Sequence, residues 1–257
     1  MNYTLNAALL LVGLFVGMLL FLTIGQRMGR RVRVEETDVA RARLSAIEAA
    51  IFGLMGLMIA FTFAGAAQRY ELRRLLVVDE ANAIGTAYLR LDLLSASRQG
   101  PLREKYRRYT EARFAAYRAP SDAERSKALA DAAKLQREIW AETIAALPEA
   151  PPQATNVIIP AVNEMIDVTT KRAVAALTHT PGMVLAMLLV LGLICSLLAG
   201  YVLAGSRTRY VGLHLAAFAL VMTATIYMVF DLDYPRVGLI RLDFADQALL
   251  DLLATMK

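Results

Sequence analysis

Residues 46–67 read AIEAAIFGLMGLMIAFTFAGAA. Only Glu48, near the start, carries charge. At about 1.5 Å per residue a helix of this length crosses a hydrocarbon core of about 30 Å. Lipid offers no partner to an open backbone group, so a run of this kind is a membrane-spanning helix. Ala46, Ala49, Gly53, Gly56, Ala60, Ala64 and Ala67 make a stripe of small residues along it. Spans associate through such residues because they let backbones come close. Glu48 reads either as an interfacial carboxylate favoured by the helix N-terminus or as a functional acid.

Three further runs have the same character: Leu5 to Gly25, Gly182 to Gly205 and Tyr210 to Phe230. The first has no charged side chain before it and Arg27, Arg30, Arg31 and Arg33 after it. A cleavable signal has the opposite order, so this run reads as a retained anchor. Small-residue spacing also marks Gly13 and Gly17 in the first span, Ala60 beside Gly53 and Gly56 in the second, and Gly192, Ser196 and Gly200 in the third. These stripes predict tight helix contacts, within one subunit or between subunits of a symmetric homo-oligomer.

The expected fold is all-α: an integral membrane protein with four spans and a helical-bundle domain inserted between spans two and three. Its parts are 1–67 (spans one and two with an Arg-rich loop), 68–180 (the extramembrane domain, on a stalk continuing span two), 181–230 (spans three and four) and 231–257 (a tail with a short amphipathic helix). Arginines crowd the first loop and recur as Arg207 and Arg209 in the tight last loop. The positive-inside rule puts both loops in the cytoplasm. Both termini and the large domain are then extracytoplasmic, at a bacterial inner membrane. Long insertions translocate largely regardless of charge, so the arginines of 68–180 do not oppose this.

In that insertion, Gln68 to Ser95 holds no proline and only Gly85 among glycines, which predicts that span two continues as one long helix. Gly100-Pro101 is expected to break it, followed by a basic, aromatic helix over 101–118. Ser121 with Glu124 is a capping-box pattern that starts a helix over 122–146. Pro148, Pro151 and Pro152 make a stiff connection, and a last helix over 155–179 with Pro160 near its start leads back to the membrane.

The net charge is +5 with 57% hydrophobic residues. In a membrane chain such a balance serves topology and lipid headgroups, not nucleic acid. The lone Cys195 allows no disulfide within the chain, and His179 and His214 belong to no metal-ligand pattern. No nucleophile–base pair, metal constellation or phosphate loop is present, so neither an enzyme nor a cofactor is expected. No charged residue lies in the middle of a span. Asp231 and Asp233, beside Tyr234-Pro235, either attract cations to a mouth or end the fourth span. Glu80, Asn82, Thr86 and Arg90 fall at helical spacings that predict a polar network on the stalk, structural or ligand-binding.

Two segments together carry a family resemblance. One is Gly53-Leu-Met-Gly56, Phe61-Thr-Phe63, Arg69-Tyr70, Arg73-Arg74, Glu80-Ala-Asn-Ala-Ile-Gly-Thr86 and Arg90. The other is the tail motif Asp231-Leu-Asp-Tyr-Pro-Arg236 with Gly238-Leu-Ile-Arg241, which includes Asp233, Tyr234 and Pro235. With the four-span plan, these resemble the bestrophin-like family of bacterial membrane proteins over essentially the whole chain. The resemblance implies kinship with bestrophins, pentameric anion channels whose second span lines the pore with an apolar neck. It points to Ile59 and Phe63 as neck residues; these side chains otherwise face lipid or neighbouring helices. Bestrophins keep the large domain in the cytosol, whereas the arginines here place it outside. Two functions follow as expectations: an oligomeric channel for small ions, or a sensory or scaffold protein whose domain, residues 68–180, binds a protein partner.

Overall fold

A computed structural model describes residues 3–32, 38–205, 210–234, 240 and 243–256. Pro235, Gly238 and Arg241 of the tail motif lie outside the described residues, as do Arg33, Arg207 and Arg209 of the basic loops. The described residues form an all-α structure: α1 (Tyr3–Val32), α2 (Asp38–Leu89), α3 (Ala96–Arg118), α4 (Asp122–Ala146), α5 (Pro152–Leu177), α6 (Gly182–Val202), α7 (Val211–Asp233) and α8 (Asp243–Thr255). Four helical stretches are long and apolar enough to cross a membrane: Ala8–Arg31, Arg43–Leu93, Pro152–Val202 and Val211–Asp233.

The expected long helix is α2, unbroken from Asp38 to Leu89. Its end differs from expectation. The chain turns at Leu94 and Ser95, and Gly100 and Pro101 sit within the first turns of α3. Burial of both Leu91 and Leu94 bends the chain before the Gly-Pro pair is reached. The Arg98 and Gln99 N–H groups donate to the Ser95 carbonyl (2.9 and 3.3 Å), and the Gln99 amide donates back to the Leu94 carbonyl (2.9 Å). The start of α4 is as the capping pattern predicts: the Glu124 N–H donates to Ser121 Oγ at 3.2 Å. Pro152 opens α5, where a missing N–H costs nothing, and Pro160 is carried inside that helix.

The chain divides into two compact units: Met1–Tyr70 with His179–Arg241, and Glu71–Thr178 with Leu242–Lys257. In the first, Leu14, Met18, Leu22, Met55, Leu188, Cys195, Ala219 and Ile226 form the core. In the second, Ile84, Leu91, Leu102, Tyr106, Tyr109, Ile139, Ile158, Met165 and Leu249 do so. The C-terminal helix α8 is part of that second core, with Leu249 fully buried and Leu252 Cδ1 lying 3.1 Å from where a Cβ on Gly85 would stand.

Candidate functional site

Within the first unit, α2 presents two unlike faces. Met55, Thr62 and Ala66 are buried in the bundle. Phe52 meets Phe218 of α7 edge-on, with ring centroids 6.2 Å apart. Thr62 turns its hydroxyl back onto the Met58 carbonyl (2.7 Å), satisfying it within the helix. The other face is open. Ala60 is exposed, and a Cβ added at Gly53 or Gly56 would meet nothing within 4 Å. At about 100° per residue, Ile59 falls beside the packed face, and it packs half-buried against the core. Phe63 falls at the edge and is 43% exposed.

Close backbone approach occurs elsewhere, between α1 and α6. A Cβ on Gly200 would overlap the Leu22 carbonyl, and one on Gly25 the Leu197 carbonyl. Gly29 is less tight but still leaves no room for a methyl, which would stand 2.6 Å from the Ala204 Cβ and 2.7 Å from the Tyr201 carbonyl. Gly192 is met by Ile226, Met18 and Met55 at 3.0–3.6 Å, so all four membrane helices converge on it. Ser196 is buried and donates to the Gly192 carbonyl at 2.9 Å. Gly17 has one neighbour, Leu193, at 3.5 Å, and Gly13 has none. The close contact with α6 is thus made on α1 not at the expected Gly13 and Gly17 but at Gly25 and Gly29. These carry the same four-residue spacing as Gly13 and Gly17, nearer the arginines.

At the end of α7 both tail carboxylates are buried. Asp233 accepts from Arg69 Nε at 2.7 Å and from the Thr180 N–H at 2.8 Å. The remaining Arg69 fork donates to Thr180 Oγ1. His179 stacks on Tyr234, centroids 4.3 Å apart and planes 12° from parallel, and its Nδ1 lies 3.0 Å from the Asp233 carbonyl. Asp231 accepts from the Ile240 N–H at 2.9 Å. These contacts end the helix and tie α2, the start of α6 and the end of α7 together within the first unit.

The second unit holds a buried ionic cluster. Glu80, with no exposed surface, accepts from Arg113 through one oxygen and from Arg172 through the other. Tyr117 donates to that second oxygen at 2.9 Å, and the Arg172 guanidinium lies 3.8 Å from the Tyr117 ring centroid. Burial opposes the Glu80 charge, but the two guanidiniums and the tyrosine hydroxyl outweigh it and hold the carboxyl below its ordinary range. Burial, reinforced by the Glu80 charge, pushes the Tyr117 hydroxyl up. Arg73 secures the end of α5, donating to the carbonyls of Ala175 (3.0 Å) and Thr178 (2.6 Å), which the helix leaves without partners.

Asn82, Thr86 and Arg90 do not join Glu80. They turn roughly 200–280° from it at about 100° per residue, and line an open groove of about 520 Å³ against α5. Among the described residues no group of three or more His, Cys, Asp or Glu side chains could hold a metal ion.

The Bestrophin-like domain family model matches residues 11–243. The chain belongs to the bestrophin-like family. No curated protein matches it. Its fold is that of a crystallised bacterial bestrophin homologue from Klebsiella pneumoniae, solved by zinc phasing, with a TM-score of 0.70 at 12% identity over 96% of this chain and 98% of that one. A point variant of that homologue aligns with a TM-score of 0.68 at 12% identity over 95% and 98%. In this bestrophin-like chain the residues that sequence reasoning missed are Arg113, Tyr117 and Arg172 around Glu80, and Arg69, His179 and Thr180 around Asp233. Arg113 and Arg172 lie in stretches dense with ordinary surface charge, where nothing local marks a buried arginine. Arg69 did carry a signal, being one of the residues on which the family resemblance rests.

Proposed function

We propose that the chain is one subunit of a homo-oligomeric membrane channel for small ions, with α2 facing the pore. Family membership supports a channel, and the observation that carries the assignment to α2 is its open face. Among the described residues a Cβ at Gly53 or Gly56 would meet nothing within 4 Å and Ala60 is exposed, although small residues in a span exist to be approached closely. The bundle behind is filled by side chains, so a conducting path forms between copies, with Gly13 available as a further contact. Phe63 and Ile59 form the apolar neck, Phe63 reaching further from the packed face. A hydrophobic constriction of this kind gates by dewetting. The lipid bilayer surrounds the ring. The Arg-rich loops lie in the cytoplasm, and both termini and the large domain lie outside it.

Purified protein in planar bilayers conducts ions, and Phe63→Ala raises the current at a given voltage. Silence under every salt and voltage overturns the channel. Electron cryo-microscopy of the detergent-purified particle then separates the remaining cases: a closed ring with α2 on the axis supports the assignment, and a monomer refutes it.

A further inference from the structure

We propose that the groove between α2 and α5 in the second unit binds a short zwitterionic peptide, with the peptide ammonium at Asp79 and its carboxylate at Arg90. This reading stands apart from the channel.

The groove volume of about 520 Å³ suits a small organic ligand, for which sites of a few hundred Å³ are usual. From α2 it takes Asp79, Asn82 and Thr86, from the 3-10 turn Arg90–Leu93 that follows it Arg90, and from α5 Glu164 and Lys171. The two helices run antiparallel: Arg73 bonds Ala175 at one end, Arg172 bonds Glu80, and Arg90 bonds the Val157 carbonyl at the other. Asp79 therefore stands at the Lys171 end and Arg90 at the Pro160 end.

The polar groups are not equally engaged. Lys171 pairs with Glu164 at 3.2 Å, so those two charges offset one another. The side chains of Asp79, Asn82 and Thr86 have no hydrogen-bond partner among the described residues. Arg90 spends one Nη on the Val157 carbonyl, which orients the guanidinium and leaves the rest of its fork for an anion. The groove thus carries a carboxylate at one end and an oriented cation at the other. An amide and a hydroxyl stand between them.

Asp79 and Arg90 are eleven residues apart, roughly 16 Å along the axis at about 1.5 Å per residue. Side chains reaching inward shorten this to on the order of 10 Å, the span of three extended residues at about 3.3 Å each. Asn82 and Thr86 lie one and two turns beyond Asp79, where the backbone amides of such a peptide fall. A simple ion has no use for two opposite poles, and a hydrophobic ligand none for the intervening donors and acceptors.

Triglycine is the probe, titrated calorimetrically into the full chain in lipid nanodiscs. Triglycine should bind, N-acetyl-triglycine amide should bind at least tenfold more weakly, and Asp79→Asn and Arg90→Gln should each weaken triglycine by about tenfold or more, the usual loss for a charge-assisted hydrogen bond. Equal binding of the free and capped peptides overturns the proposal. So does the absence of heat at millimolar peptide from protein whose melting curve is intact. An Asp79→Cys variant should react with a water-soluble maleimide and be protected by triglycine; a site shielded without peptide means that a second copy covers the groove, which also overturns it. Conductance is scored separately, so a silent channel leaves these outcomes readable.

Discussion

The two units of this chain are both helical and differ in how their helices are packed together. In the membrane unit the tightest contacts run backbone to backbone: Gly25 and Gly200 lie against carbonyls of the facing helix with no room for a methyl. In the extramembrane unit the core is filled by large side chains, Tyr106 and Tyr109 among the largest that are fully buried, and a carboxylate is clamped between two arginines. The cause is the solvent. Water rewards burial of large apolar surface, whereas lipid gives no such reward and leaves close packing as the main attraction. Water on one side also makes a buried charge tolerable only when its partners are built in.

The largest expected effect is at the clamp. Glu80→Ala leaves Arg113 and Arg172 buried without a counter-charge and should cost about 3–5 kcal/mol, read as a fall in the melting transition followed by circular dichroism. A loss below about 1 kcal/mol would show that water enters the cluster and that the contrast between the units is overstated.

Leu249→Ala, in a fully buried position on α8, should cost about 2–5 kcal/mol. If stability is unchanged, α8 is not part of the core. Gly200→Ala presses a methyl on the Leu22 carbonyl and should cost about 1–3 kcal/mol. Gly53→Ala is its counterpart on the open face of α2. Folding should change by no more than about 1 kcal/mol, toward greater stability, while the oligomeric fraction on size exclusion falls. If both glycines respond alike, the open face is not an interface.

The smallest effect is with pH. The Glu80 carboxyl is held below its ordinary value of 4.5, so the folded state binds its proton less readily than the unfolded chain does. Its stabilisation is complete above that ordinary value and is lost as pH falls through the lower folded one. Stability measured downward from about pH 5 should therefore decline, and the decline should be shallower in Glu80→Gln. An identical slope in the variant assigns the acid sensitivity to other carboxylates.

Much of the architecture was legible before any coordinates. The runs at 5–25, 46–67, 182–205 and 210–230 identify the spans by length and lack of charge, and the proline-free stretch after Gln68 predicts the long α2. The α4 start was readable because a capping box is a local device. The turn at Leu94–Ser95 was not, because Gly100-Pro101 is the louder local signal and the turn is set by burial of Leu91 and Leu94. Glu80, Asn82, Thr86 and Arg90 read as one polar group, since spacing alone does not say which side of a helix its neighbours occupy.

The sequence by itself determined the all-α class, the four spans and the family, because hydrophobic run length and residue order are properties of the chain alone. Only the tertiary structure decided which arginines meet Glu80 and Asp233, which glycines are pressed against a neighbour, and that α8 completes a core. Those depend on contacts between residues far apart in the chain, 164 positions for Arg69 and Asp233 and 178 for Leu22 and Gly200, and no local pattern records them.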